Sequence, residues 1–134
     1  MNKPTSDRPS DDDLIREQAG ATRPKGKAVI ATDIAGRIVY WNDNAEQLYG
    51  WKREEALDRN VVDVTPATLS RPAAAQIMTI LHRGESWSGT FQVQDRNRRR
   101  FLADVTDNPV FNADGQLIGI IGVSSRAKSP QAPR

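Results

Sequence analysis

Few residues of this sequence could perform chemistry, because it contains no cysteine and a single histidine, His82. Without cysteine there can be no disulfide, cysteine-ligated zinc, iron–sulfur cluster or thiol nucleophile. A Ser–His–Asp triad or a histidine-ligated haem would have to use His82. That histidine precedes Gly84 at the end of a predicted helix, where a lone histidine commonly faces solvent and complements the helix dipole. We therefore expect no catalytic residue and no metal site.

Arginines are concentrated at the predicted tip of one hairpin, as Arg96, Arg98, Arg99 and Arg100. Such a cluster could bind phosphate or an acidic partner, but a solvated hairpin tip is the simpler interpretation. We also expect an exposed ion pair between one glutamate of residues 54–55 and one arginine of residues 98–99, with a structural role.

The charge balance gives little reason to expect a polyanionic partner, since 19 lysines and arginines face 17 acidic residues for a net charge of +2. We therefore predict no binding to nucleic acid or membrane. No apolar run approaches the ~20 residues of a membrane span. The N-terminus lacks the apolar segment of a secretory signal, so the predicted location is the cytoplasm.

Three regions differ in composition. Residues 1–27 predict a flexible leader with a short amphipathic helix, which Ser10 caps and whose apolar stripe contains Leu14, Ile15 and Ala19. Such a short helix must pack on the domain or on a partner chain. The composition of residues 127–134 predicts a disordered tail. Residues 28–126 are apolar enough to fold as one domain.

Along the domain, the spacing of apolar residues changes between the period of a strand and the period of a helix. An antiparallel hairpin is predicted at 28–41 with its turn at 33–36, followed by helices at 42–50, 53–57 and 72–82. Residues 61–64 form an apolar patch before Pro66. Strands follow at 87–94, at 101–105 and at 117–123, and the last is apolar enough to be buried on both faces. This order predicts an α+β domain with an antiparallel sheet.

Five segments together resemble a PAS domain: AVIATDIAGRIVYWN at 28–42, AEQLYGW at 45–51, EEALDRNVVD at 54–63, HRGESWSG at 82–89 and DNPVFNADGQLIGIIGVS at 107–124. The resemblance covers residues 28–126. It implies a five-stranded antiparallel sheet of order 2-1-5-4-3 with three to four short helices across one face. It also implies a sensory or signal-relay role that involves a small ligand or a partner protein, without catalysis of its own.

The sequence departs from the cofactor-binding branches of that family. The blue-light branch has a cysteine after the asparagine that resembles Asn60, and here Val61 stands there. Its last-strand glutamine is replaced by Ser124. Flavin–thiol chemistry is therefore excluded, and we expect no cofactor. The alternative is a non-covalent flavin or haem sensor, and an enzyme is a third hypothesis. Many family members end in a motif that leads to an output domain, which residues 126–128 lack.

The same resemblance, with strand alternation, predicts which side chains enclose a ligand pocket. The candidates are Ile30, Thr32, Asn60, Val61, Val64, Ile77, Leu81, Val93, Ala103, Val105, Ile120 and Ser124. Only Thr32, Asn60 and Ser124 are polar among them. An apolar lining favours a small hydrophobic ligand or a filled core without a ligand.

The expected partners are a second copy of the chain and a signalling output domain or partner protein. We predict a homodimer built from the helix at residues 14–19 and the exposed face of the sheet.

Overall fold

The computed structural model of the chain describes residues 10–22 and 24–128, so most of the predicted tail and the first part of the leader lie outside the described residues. The elements in chain order are α1 (Asp11–Ala21), β1 (Ala28–Asp33), β2 (Ile38–Trp41), α2 (Asp43–Tyr49), α3 (Arg53–Ala56), α4 (Val61–Val64), α5 (Arg71–His82), β3 (Trp87–Gln94), β4 (Arg100–Phe111) and β5 (Leu117–Arg126). Within these ranges no helix is long and apolar enough to cross a membrane.

The strands form one antiparallel sheet of order β2-β1-β5-β4-β3, which confirms the predicted topology. The last strand, β5, lies at the centre of the sheet, because it pairs with the first strand β1 on one side and with β4 on the other. The apolar run of β5 is explained by this central position, since both faces of the strand are covered.

Four of the helices, α2 to α5, lie between β2 and β3 in the chain, and polar caps set where three of them begin. The Asn42 side chain accepts a hydrogen bond from the Ala45 amide at 2.9 Å, and Gly50 ends α2 in the left-handed conformation at φ 81°. Ser70 caps α5, and Asn60 caps α4. Residues 61–64, predicted only as an apolar patch, therefore form a short helix.

The outer face of the sheet is covered by α1, the predicted N-terminal helix. Ser10 caps it by accepting from the Asp13 amide at 3.1 Å. Ile15 and Ala19 are fully buried. The buried residues around them are Val29, Ala31, Val39, Val110, Ile118 and Ile121. The apolar stripe of the helix thus packs on the chain's own sheet, and Ile15 and Ala19 are not available for the dimer contact that the sequence suggested.

The tip of the β3–β4 hairpin packs on α3 through a different arginine from the one expected. Arg96 donates to Glu55 at 2.7 Å, and its guanidinium lies 4.9 Å from the centre of the Trp51 ring. Arg98 instead occupies the turn, with φ at 65°. The position of the tip explains the change, because the Arg96 amide donates to the Tyr49 carbonyl at 2.9 Å and so lies beside the helices.

Candidate functional site

A cavity of about 410 Å³ lies between the inner face of the sheet and the helical segment, with α4, α5 and the chain between them along its other side. Its lining residues are Ile30, Thr32, Tyr49, Val61, Val62, Thr65, Ala67, Leu69, Ala74, Phe91, Val93, Val105, Asp107, Ile120, Gly122 and Ser124. The lining residues come from the strands β1, β3, β4 and β5, from the helices α2, α4 and α5, and from the chain between α4 and α5. The cavity is therefore built into the fold rather than into one loop.

The cavity brings together more than half of the pocket residues that the sequence predicted. Those that line it are Ile30, Thr32, Val61, Val93, Val105, Ile120 and Ser124. Four others, Val64, Ile77, Leu81 and Ala103, are buried in the core without lining the cavity. Val64, Ile77 and Leu81 serve helix packing, and Ala103 lies in the core on β4.

Asn60 is exposed and does not point into the cavity, although the sequence suggested an inward position. Its Oδ1 accepts from the Val62 amide at 3.0 Å, and its Nδ2 donates to the Ala35 carbonyl at 3.2 Å. A Cβ on Gly36 would lie 3.1 Å from that Nδ2. Asn60 therefore fastens the start of α4 to the β1–β2 turn.

Three polar residues of the cavity lining were not foreseen from the sequence, namely Tyr49, Asp107 and Thr65. The hydroxyl of Tyr49 lies 2.8 Å from the Ser124 Oγ, and both residues are buried. Burial raises the pKa of the Tyr49 phenol, and the nearby Asp107 carboxylate raises it further. Tyr49 therefore stays protonated and can donate or accept hydrogen bonds.

Asp107 is the second unforeseen residue and the only charged one among the lining residues. Burial raises the pKa of its carboxyl group from 3.8 to about 6. It takes part in none of the ion pairs formed within residues 10–22 and 24–128. Gly122 faces it directly on β5, and a Cβ at that position would lie 3.0 Å from the Asp107 Oδ1. The glycine thus leaves room beside the carboxyl group.

A signal for Asp107 was present in the sequence. Phe101, Ala103 and Val105 alternate along β4, and the same period of two leads to residue 107. The prediction ended the strand's inward face at Val105, because an aspartate does not extend an apolar pattern. Tyr49 carried no comparable signal, since its partner Ser124 is 75 positions away in the chain.

The chemical groups of the lining are few and mostly apolar. It contains no histidine or lysine, and no serine in contact with a base. Across the described ranges no group of three or more histidine, aspartate or glutamate residues could hold a metal ion. What the lining offers is an apolar surface, three hydroxyl-bearing side chains besides Tyr49, and one carboxyl group.

The same residues fit haem and flavin poorly. His82 is exposed at the end of α5, where its Nδ1 lies 2.9 Å from the Met78 carbonyl oxygen, and it does not line the cavity. A flavin nucleotide carries a phosphate that proteins commonly pair with arginine or lysine. No arginine or lysine lines this cavity, and the Asp107 carboxylate would repel the phosphate.

Comparison with known proteins begins at the level of the family. The family model described as the PAS fold matches residues 26–126. The biofilm dispersion protein BdlA of Pseudomonas aeruginosa is 30% identical over 113 residues, which are 81% of this chain and 27% of that protein. The chain therefore spans about a quarter of the length of this curated relative.

Solved structures agree on the fold. A PAS domain from Colwellia psychrerythraea superposes with a TM-score of 0.64 and 21% identity, over 86% of this chain and 98% of that one. An RNA-binding light-oxygen-voltage receptor superposes with a TM-score of 0.66 and 19% identity, over 82% of this chain and 32% of that one. At these identities the likeness concerns the fold alone.

Proposed function

The chain belongs to the PAS family of sensory domains, and from this premise we propose that it senses a small, largely apolar molecule bound in its cavity, with no catalysis of its own. The observation that carries the proposal is the 410 Å³ cavity between sheet and helices, which is apolar apart from a few convergent polar groups. Cavities of this size and composition are typical of small-molecule sites.

An apolar rim supports entry of such a molecule from one side. Val62 is 67% exposed and Leu69 is 38% exposed, and both line the cavity. They stand on α4 and on the chain that leads to α5. Exposed apolar side chains are costly in water, and a bound molecule that covers them would recover part of that cost.

The central strand offers a route from the cavity to the outer face. Ile120, Gly122 and Ser124 of β5 line the cavity. Gly119 of the same strand faces α1, because a Cβ there would lie 2.5 Å from the Ile15 Cδ1. We propose that a ligand acts by binding one arrangement of β5 and α1 more tightly than another, since only a difference in affinity can shift such an equilibrium.

Cavity binding is tested with 2-phenylethanol, a small neutral probe, by following backbone amide resonances during titration. The shifts should map to the lining residues. In Ala74→Phe the new ring should fill the cavity and weaken binding about tenfold or more. Ala75→Phe places the same ring on the exposed side of α5 and should leave binding unchanged. Equal binding to both variants, or shifts confined to residues outside the cavity, would contradict the proposal.

We also propose that two copies of the chain associate through the part of the sheet's outer face that α1 leaves open. Leu102 lies there on β4 and is 42% exposed. Its neighbours on that face include Thr90 and Asp104, whose side chains are hydrogen-bonded at 2.7 Å. A signalling output domain or partner protein stays a prediction, as does the cytoplasmic location.

The alternative of a non-covalent flavin or haem sensor is tested by the visible absorption spectrum of the purified protein. A band beyond the aromatic region would contradict the proposal of a colourless ligand. Turnover in a broad hydrolase screen would contradict the absence of catalysis.

A further inference from the structure

The Asp107 carboxyl group is a charge without an ionic partner among the described residues, in a largely apolar cavity. It lines the cavity from β4, and it shares no ion pair with any residue in the described part of the chain. Gly122 of β5 lies opposite it, and the same lining contains Tyr49 from α2, Thr32 from β1 and Ser124 from β5. Tyr49 is the only other titratable group in the lining, and it is neutral near pH 7.

A partly buried carboxylate without a cationic partner lowers the free energy of unfolding. Removing a carboxylate from water without a compensating cation or hydrogen-bond donor opposes folding, so an aspartate at a core position normally has a charged or donating partner. A neutral residue of similar size would pack here without that cost. The Asp107 carboxyl group is therefore a hydrogen-bond acceptor without an ionic partner among the described residues. Because Gly122 has no side chain, the space beside this carboxyl group stays open.

We infer that the ligand is a small organic cation, in which a protonated amine faces the Asp107 carboxylate and an apolar body fills the rest of the cavity. The inference rests on the proposed function, because it names the class of ligand for the same site. An ammonium group brings the opposite charge together with several donors, and a carboxylate is its strongest natural partner.

The surrounding groups suit the same ligand. Ser124 and Tyr49 share one hydrogen bond, which leaves a hydroxyl lone pair free to accept from a second ammonium hydrogen. The aromatic residues Tyr49 and Phe91 belong to the lining, and aromatic rings attract cations. Ile30, Val93 and Ile120 provide the apolar surface for the body of the ligand. A free carboxylic acid would instead meet the Asp107 charge and be repelled.

The protonation state agrees with this role. Since burial raises the pKa of Asp107 to about 6, its carboxyl group is mostly ionised at pH 7.5 and mostly protonated at pH 5. Tyr49 is the only other group facing it that could titrate, and its raised pKa keeps it neutral over this range. An amine should therefore bind more tightly at pH 7.5 than at pH 5, because amines of this kind stay protonated at both values.

The test compares three probes with one apolar body and different head groups: 2-phenylethylamine, 2-phenylethanol and phenylacetate. Amide resonances of the wild-type protein are followed at pH 7.5 during each titration. We expect the amine to bind at least about tenfold more tightly than the alcohol, and phenylacetate to bind most weakly. In Asp107→Asn the preference for the amine over the alcohol should disappear. Asp104→Asn removes the same charge from the exposed face of β4 and should keep the preference.

Each outcome discriminates. If all three probes shift cavity resonances with similar affinity, the cavity binds small molecules but the inference of a cation is wrong. If the alcohol or the acid binds more tightly than the amine, the inference is also wrong while the proposed function stands. If no probe shifts the lining residues, both the inference and the proposed function fail. Preference for the amine that persists in Asp107→Asn would place the cation elsewhere and overturn the assignment.

Discussion

At the scale of single residues, the cavity holds its polar groups at a cost to the free protein. Asp107 is ionised near neutral pH although it is partly buried and has no cationic partner among the residues described. Tyr49 and Ser124 satisfy one another across the same space at 2.8 Å. Tyr49 and Ser124 are thus hydrogen-bonded to each other, whereas the Asp107 carboxyl group has no ionic partner among the described residues.

The first prediction concerns Asp107→Asn and the free energy of unfolding. The native pKa of Asp107 is about 6 against 3.8 for the ordinary group, so the native state binds more protons between these values and loses stability as pH rises through them. Asp107→Asn has no carboxyl group at this position, so it does not lose stability in this way as pH rises. At pH 8 it should therefore be more stable than the wild type, by up to about 3 kcal/mol.

Urea unfolding from pH 4 to pH 8 measures this difference. The advantage of Asp107→Asn should shrink as pH falls from 6 towards 4, and Asp104→Asn serves as the control for a charge lost from the exposed face. A wild-type protein that is more stable than Asp107→Asn at pH 8 would show that the carboxylate has a stabilising partner after all.

The second prediction concerns the buried hydroxyl pair. Tyr49→Phe and Ser124→Ala each leave the other hydroxyl without its partner, and each should lower the free energy of unfolding by about 1 kcal/mol. The double variant should cost less than the sum of the two, because both groups of the hydrogen bond are then gone. Urea unfolding of the four proteins gives the coupling energy, and simple additivity would mean that the hydroxyls do not interact.

At the scale of elements, β5 and α1 act as one unit because glycine permits their close approach. A Cβ on Gly119 would lie 2.5 Å from the Ile15 Cδ1 and 2.5 Å from the Thr32 carbonyl oxygen. The first contact involves a side chain that could move, but the second involves the backbone of β1. A side chain at position 119 would therefore disturb both the packing of α1 and the β1–β5 pairing.

The third prediction follows from that contact. Gly119→Ala should lower the free energy of unfolding by about 1 to 3 kcal/mol and weaken the protection of α1 amides from hydrogen exchange. Gly20→Ala changes the same residue type inside α1, where the nearest atom to a new Cβ is the Tyr40 Cε1 at 4.0 Å. It should raise stability by about 0.5 to 1 kcal/mol, since alanine favours the helix. Unchanged α1 protection in Gly119→Ala would argue against close docking of the helix.

At the scale of the whole molecule, the sheet separates two apolar layers. On its inner face lie the cavity and the helices α2 to α5, and on its outer face lies α1 with Ile15 and Ala19. The helix covers the side of the sheet formed by β1, β2 and β5 and leaves the outer side of β3 and part of β4 open, where Leu102 is exposed. This arrangement leaves the open part of the sheet exposed for a contact between copies.

The fourth prediction is therefore a homodimer through the open part of the sheet. Sedimentation equilibrium at high micromolar concentration should give twice the chain mass of 14.9 kDa. Leu102→Asp should return the protein to one chain mass, because a charge would replace exposed apolar surface in the contact. Ile34→Asp, at a side chain that is 51% exposed in the β1–β2 turn, should leave the dimer intact. A wild-type monomer at that concentration would contradict the proposal.

Local features of the chain could be predicted because they depend on residues close together in sequence. The cap at Ser10 and the helix between Asn42 and Gly50 are each decided within a few positions, and the structure has both where the sequence suggested. The arginine that pairs with Glu55 was not predictable in the same way. It depends on which residue of the hairpin tip takes the left-handed conformation, and that position is Arg98.

The sequence by itself determined the alternation of strands and helices, the mixed α+β class and, through its resemblance to a family, the strand order and part of the cavity lining. Only the tertiary structure decided that Asp107 faces Gly122 without a cation, that Tyr49 meets Ser124, and that α1 covers its own sheet. The reason is physical: periodicity and capping act over a few residues, whereas strand register and helix docking join residues far apart in the chain, and burial of a charge depends on everything that surrounds it.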